Sequence, residues 1–262
     1  MVVSQQYKIL FHMTKYTFTY HQEIGHQGQS LVPHFPGGKS GVTIGPGYDM
    51  GHRTPQEIYT DLTNAGIDPE TAYAFIDAAD KTGPEAASWV AERGGIFITE
   101  QQQRNLFENV LVPEYEQRTI DQIENFAAAH AGSVPENVDW ESLTGRQKQI
   151  LFDYVYNTGS LARFPELTAA VLNEDWETVS LHYERFSDDQ PLAYRNEMFY
   201  REFLDPAYVR EDEEVQDGND LAVAENQLLD QQIDELYSDD ENAENADDVQ
   251  SEDSDEWYEQ HI

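Results

Sequence analysis

Cysteine is absent from the 262-residue chain. That excludes a disulfide framework and any thiolate metal centre, and leaves the redox compartment open. Basic residues are scarce: 15 Lys and Arg stand against 51 Asp and Glu, a formal net charge of −36. A chain so poor in cations is not built to bind nucleic acid by neutralising phosphates, nor to adsorb to anionic lipid. No apolar run approaches the roughly 20 residues that span a bilayer, so no membrane insertion is expected. The opening segment MVVSQQYKILFHMTKYTF carries polar residues where a secretory signal needs a continuous apolar stretch. The expectation is a protein made in the cytoplasm without such a signal, whose export, if any, needs another device.

What is present is enough apolar material for a real core: 39% hydrophobic and 12% aromatic residues, consistent with one domain plus a tail. Charge divides the chain. Residues 211–262 hold 21 acidic side chains and no Lys or Arg, leaving 30 acidic against 15 basic residues in 1–210. The reading is an N-terminal extension over 1–16, a domain over 17–210 and an acidic tail over 211–262. Within the tail, Leu221, Ala224, Leu228, Leu229, Ile233 and Leu236 recur at helical spacing over 220–237. The run after Ser238 is too polar to pack and is read as disordered.

The domain reads as mainly helical. Thr54-Pro55-Gln56-Glu57 combines an N-cap, a Pro at the first helical position and an acidic third position. Thr99 with Gln102, and Thr144 with Gln147, fit capping boxes. Pro113 is expected to divide the 99–130 stretch into two helices. A helix over 144–157 puts Ile150, Leu151, Tyr154 and Val155 on one face and ends at Gly159. Further helices are expected near 165–173, 175–186 and 190–204. Residues 17–53 differ: glycine is dense, Val42-Thr43-Ile44 reads as a short strand, and Gly45-Pro46-Gly47 reads as a tight turn. A small β-containing lobe therefore precedes a helical one, and a cleft between lobes is a usual place for a site.

Within that small lobe Glu23 is followed by no carboxylate until Asp49. Glycoside hydrolysis needs a proton donor and a second group that activates water or stabilises the cationic transition state, so a pair drawn from this lobe can only be Glu23 with Asp49. Thr43, six residues before Asp49, offers a hydroxyl to hold water. Taken singly, each has a plainer reading: a helix-end carboxylate, a turn residue and a strand residue. His21, His26, His34 and His52 gather around the same segment. They lack the i, i+4 helical pair of zinc proteases, so they are read as polar lining rather than metal ligands.

The segment Ser40-Gly-Val-Thr-Ile-Gly-Pro-Gly-Tyr-Asp-Met-Gly51, preceded by Glu23, resembles the catalytic region of pesticin-type muramidases, relatives of the phage-type lysozymes. Leu143 to Gly159 resembles the central helix of that superfamily, and the likeness extends over about residues 17–205. It implies an α+β, mainly α, lysozyme-like two-lobed fold. It also implies a muramidase that cleaves the β-1,4 bond between N-acetylmuramic acid and N-acetylglucosamine with inversion, without metal or cofactor. Glu23 would be the acid, and Asp49 with Thr43 would hold the water. Tyr48 and Asn157 are the candidate substrate-binding residues; for Asn157, capping or core hydrogen bonding is the plainer role. The partners implied are peptidoglycan glycan strands, with an immunity protein or a delivery machine for an antibacterial or lysis protein acting on the cell wall; a monomer is expected. Three alternatives stay open: a lytic transglycosylase using one Glu, a glycan-binding module without catalysis, and an acidic interaction protein.

Overall fold

In the computed structural model, residues 15–24, 31–93, 95–136, 138–187 and 190–207 are described. The expectations for residues 1–14, for His26 and for the tail helix over 220–237 lie outside them. Elements begin where the local chemistry supplies a start. Helix α1 (Thr17–Glu23) follows Tyr16, whose backbone is left-handed at φ 57°. Helices α2 (Pro55–Asn64), α3 (Pro69–Phe75) and α4 (Pro84–Arg93) each open on a proline, whose missing N–H is no loss in the first turn. Thr54 closes a reciprocal capping box with Glu57, and the Asp68 carboxylate caps α3 by accepting from Thr71 N–H.

Helix α5 (Glu100–Leu106) starts at the Thr99–Gln102 box. It does not break before α6 (Val112–Ala129); the two run on through a π-helical turn over Phe107–Leu111. Pro113 has no N–H to give, and the ladder widens just upstream, where Val112 N–H reaches back five residues to the Phe107 carbonyl. Helix α7 (Gly145–Thr158) opens on the Thr144–Gln147 box and ends at Gly159 with φ 78°. Its residues Ile150 to Val155 are all buried, so it is the central helix rather than an amphipathic surface one. α1, α6 and α8 (Pro165–Leu172) pack around it.

The C-terminal part departs from the sequence reading. Helix α9 is Trp176–His182, shorter than expected, and a two-residue hairpin of β3 (Phe186–Ser187) and β4 (Gln190–Pro191) separates it from α10 (Ala193–Phe203). The N-terminal boundary moves as well. Tyr16, assigned on sequence to an extension, stacks on Phe152 with ring centroids 3.6 Å apart, and its hydroxyl donates to Glu116 at 2.8 Å. Burial and that carboxylate together push the Tyr16 phenol well up.

The small sheet lies early in the chain. Strands β1 (Thr43–Ile44) and β2 (Tyr48–Asp49) are antiparallel, with Thr43 opposite Asp49 and Ile44 opposite Tyr48. Their turn needs φ of 62° at Gly45 and 105° at Gly47, values that glycine adopts without a side-chain clash. His34 adds a third row through two backbone hydrogen bonds to Thr43, each 2.9 Å. The described residues thus form a mainly helical α+β fold with two two-stranded sheets. Among them no helix is long and apolar enough to cross a membrane.

Candidate active site

Glu23 is the last residue of α1, and the helix is fixed from its other side. Phe18 meets Phe199 and Phe203 edge-on at 6.1 and 5.0 Å, while Tyr20 hydroxyl accepts from Gln103 at 3.2 Å. Thr19 donates to Asp153 Oδ1 at 2.9 Å. Asp153, on α7, is wholly buried and paired with two arginines: Arg185 Nη2 at 2.6 Å and Arg195 Nη2 at 2.6 Å. Arg195 then turns its other terminal nitrogen to Glu23 Oε1 at 2.7 Å. The result is a chain of alternating charges, Arg185–Asp153–Arg195–Glu23, whose formal charges cancel.

Glu23 is the one carboxylate of that chain with exposure, 22% of its side chain. Burial pushes its carboxyl above the usual range, and Arg195 opposes that shift without cancelling it. A carboxylic acid with a raised pKa that is still partly reachable from solvent has a property a general acid needs.

Thr43 and Asp49 are brought together by the hairpin. Thr43 spends both its backbone groups on His34, so its pairing with Asp49 is the kind without direct hydrogen bonds, in which side chains approach most closely. The Thr43 hydroxyl, itself buried, donates to the Gly41 carbonyl at 3.3 Å. Half-buried Asp49 accepts from Gly51 N–H at 2.7 Å and from Gly41 N–H at 3.0 and 3.1 Å to its two oxygens. This explains much of the local glycine: a Cβ on Gly41 would lie 2.3 Å from Asp49 Oδ1 and 2.3 Å from Gly51 N. Two amide N–H groups, that of Gly41 shared between both oxygens, thus hold the carboxylate, which keeps acceptor capacity for a further donor.

Tyr156, on α7, is linked to the hairpin turn and feels the charge of Glu23. Its hydroxyl donates to the Pro46 carbonyl in the hairpin turn at 2.5 Å, and its ring lies 4.3 Å from that of Tyr115. Burial first, then the negative charge of Glu23, pushes its phenol well up. Glu23 and the hairpin turn therefore share Tyr156 as a neighbour.

One sequence expectation, Tyr48 as a substrate-binding residue, is at odds with its burial. Tyr48 has no exposed surface, its hydroxyl donates to Asp61 at 2.7 Å, and Arg53 lies over its ring at 4.3 Å. It is a core residue of the hairpin, with no surface to offer a substrate. Asn157 accepts from Arg185 Nη1 at 3.4 Å and so belongs to the charge chain. The residues not foreseen are Asp153, Arg185, Arg195 and Tyr156. One signal was available: a lone Asp in the apolar run Ile150 to Val155 must be paired when buried. Among the described residues, no group of three or more His, Asp or Glu side chains is arranged to hold a metal ion.

Residues 15–182 match the family described as "Domain of unknown function (DUF8812)". The chain belongs to that family. No curated protein matches the sequence. The family match contains Glu23, Thr43, Asp49, Asp153 and Tyr156 but stops short of Arg185 and Arg195, so the cations that neutralise the buried carboxylates come from outside it. The arrangement offers a partly exposed acid with a raised pKa, and a second carboxylate held by backbone amides beside a hydroxyl. That set is suited to protonating a leaving oxygen and directing a water.

Proposed function

We propose that this DUF8812 protein is a lysozyme-like peptidoglycan hydrolase with two lobes. It cleaves the β-1,4 bond between N-acetylmuramic acid and N-acetylglucosamine. The observation that carries the reading is Glu23: a carboxyl at the end of the first helix, raised by burial, clamped by Arg195 and open to solvent. Its place ahead of the Thr43–Asp49 pair is also the order found in pesticin-type muramidases. In this reading Glu23 gives its proton to the glycosidic oxygen. Asp49 uses its remaining acceptor capacity to orient and deprotonate water, with the Thr43 hydroxyl as its neighbour. The product is then a reducing N-acetylmuramic acid end, formed with inversion as the α anomer. The protein acts on the cell wall after delivery or lysis, with glycan strands as its substrate and an immunity or secretion protein as its partner.

Mass spectrometry of muropeptides released from purified peptidoglycan tests this directly, with reducing muramic acid ends as the expected product. One observation favours a second reading. Asp49 already accepts from two backbone amides, as a structural carboxylate would, leaving Glu23 as a lone acid. A lytic transglycosylase needs no more than that and would give anhydro-muramic acid ends. Release of neither product would overturn both readings.

A further inference from the structure

The small sheet places a third chemistry-bearing residue in the same row as Thr43 and Asp49. His34 is paired directly with Thr43, and Thr43 directly with Asp49. In antiparallel pairing, residues directly opposite project to the same face. The order across the His34 bridge and the two strands is therefore imidazole, hydroxyl, carboxylate on one face. His34 is half-buried, and its Nδ1 lies 3.2 Å from the Val32 carbonyl oxygen. A carbonyl oxygen only accepts, so Nδ1 must carry the hydrogen. In the neutral ring Nε2 is then an acceptor. Among the described residues Nε2 has no partner, and it sits on the side of the ring away from its anchor.

We propose that His34 is a glycan-binding residue of this site, its Nε2 accepting a hydrogen bond from a hydroxyl or acetamido N–H of the sugar bound alongside Thr43 and Asp49. The inference rests on the glycan-directed reading of the Glu23–Asp49 site. The backbone geometry explains why a histidine suits this position. The Val32 carbonyl fixes the ring's rotation and its tautomer together, so the acceptor is presented in place before any sugar arrives, at little further entropic cost.

The test uses the full chain, uniformly 15N-labelled. Imidazole spectra at neutral pH should show His34 as the Nδ1–H tautomer. Adding chitotriose, a neutral N-acetylglucosamine trimer, should shift the Nε2 signal of His34 while leaving His182 unmoved. In hydrolysis of purified peptidoglycan, His34→Ala should lower kcat/KM about tenfold, the scale of one lost neutral hydrogen bond, mainly through KM. His34→Gln, whose amide oxygen also accepts, should recover part of the loss. Both variants should keep the wild-type melting temperature to within a few degrees. An Nε2–H tautomer would overturn the proposal. So would trimer-induced shifts at Thr43 and Asp49 with none at His34; in that case the site reading would survive. If the trimer shifts nothing and peptidoglycan is not cleaved, the site reading fails and this inference falls with it.

Discussion

Replacing Glu23 by Gln separates function from fold, because the two carboxylates that share Arg195 differ in kind. Asp153 is wholly buried and holds two arginines and a threonine. Removing its charge in Asp153→Asn leaves buried guanidinium uncompensated and should cost about 3–5 kcal/mol. Glu23 is partly exposed, and its carboxyl is raised by burial. Gln keeps an oxygen for Arg195 Nη1, Arg195 keeps Asp153, and the cost of holding a half-buried negative charge disappears. The net change should lie within about 1 kcal/mol, or roughly 2–4 °C for a domain of this size. The sign has a pH signature. Because the folded pKa of Glu23 is raised, the folded state binds the proton more tightly than the unfolded one. The protein therefore loses stability from this group as pH rises from the ordinary Glu range through the folded pKa. Glu23→Gln lacks that loss, so its melting temperature relative to wild type should rise across the same window. Hydrolysis should fall by about a hundredfold or more, the scale of a lost general acid. Scanning calorimetry from pH 4 to 7 with a turbidimetric cell-wall assay measures both. A Glu23→Gln protein that melts like Asp153→Asn and still cleaves would refute the reasoning.

Wild-type activity should decline as pH rises through the raised pKa of Glu23, since only the protonated form donates; a pH–rate profile checks this. Asp49→Asn sets an amide NH2 against the N–H donors of Gly41 or Gly51, costing about 1–3 kcal/mol, and should reduce hydrolysis far more than Asp68→Asn, where Asn still caps α3. Gly41→Ala forces its Cβ onto Asp49 and the Gly51 backbone; a loss of about 1–3 kcal/mol and of hydrolysis is expected, read by denaturant melts and the same assay. Tyr156→Phe removes the bond to the Pro46 carbonyl, with an expected loss of about 1 kcal/mol and slower cleavage at unchanged overall fold by circular dichroism.

The capping boxes at Thr54, Thr99 and Thr144 were legible because each end of a helix is written locally, in four residues. So was the hairpin turn, where glycines flank a proline. Pro113 shows the limit: its missing donor was visible, but whether the ladder would break or widen depended on the packing of Phe107 and Leu111. The short β3–β4 hairpin was missed for a similar reason, since two-residue strands carry no period. At the site, Glu23, Thr43 and Asp49 stood out through their order. Tyr48 did not reveal its burial, because an alternating strand in a glycine-rich segment has no clear inner face in sequence. The Arg195 clamp was invisible, since nothing near α10 says which distant carboxylate it meets.

Glu23 and the arginine that holds it are separated by 172 positions, one on the first and the other on the last of the described helices. During synthesis the carboxyl emerges well before its clamp. A growing chain therefore carries Glu23 unheld until α10 is complete and docked. A chain released before α10 would leave the ribosome with neither Asp153 nor Glu23 paired to Arg195.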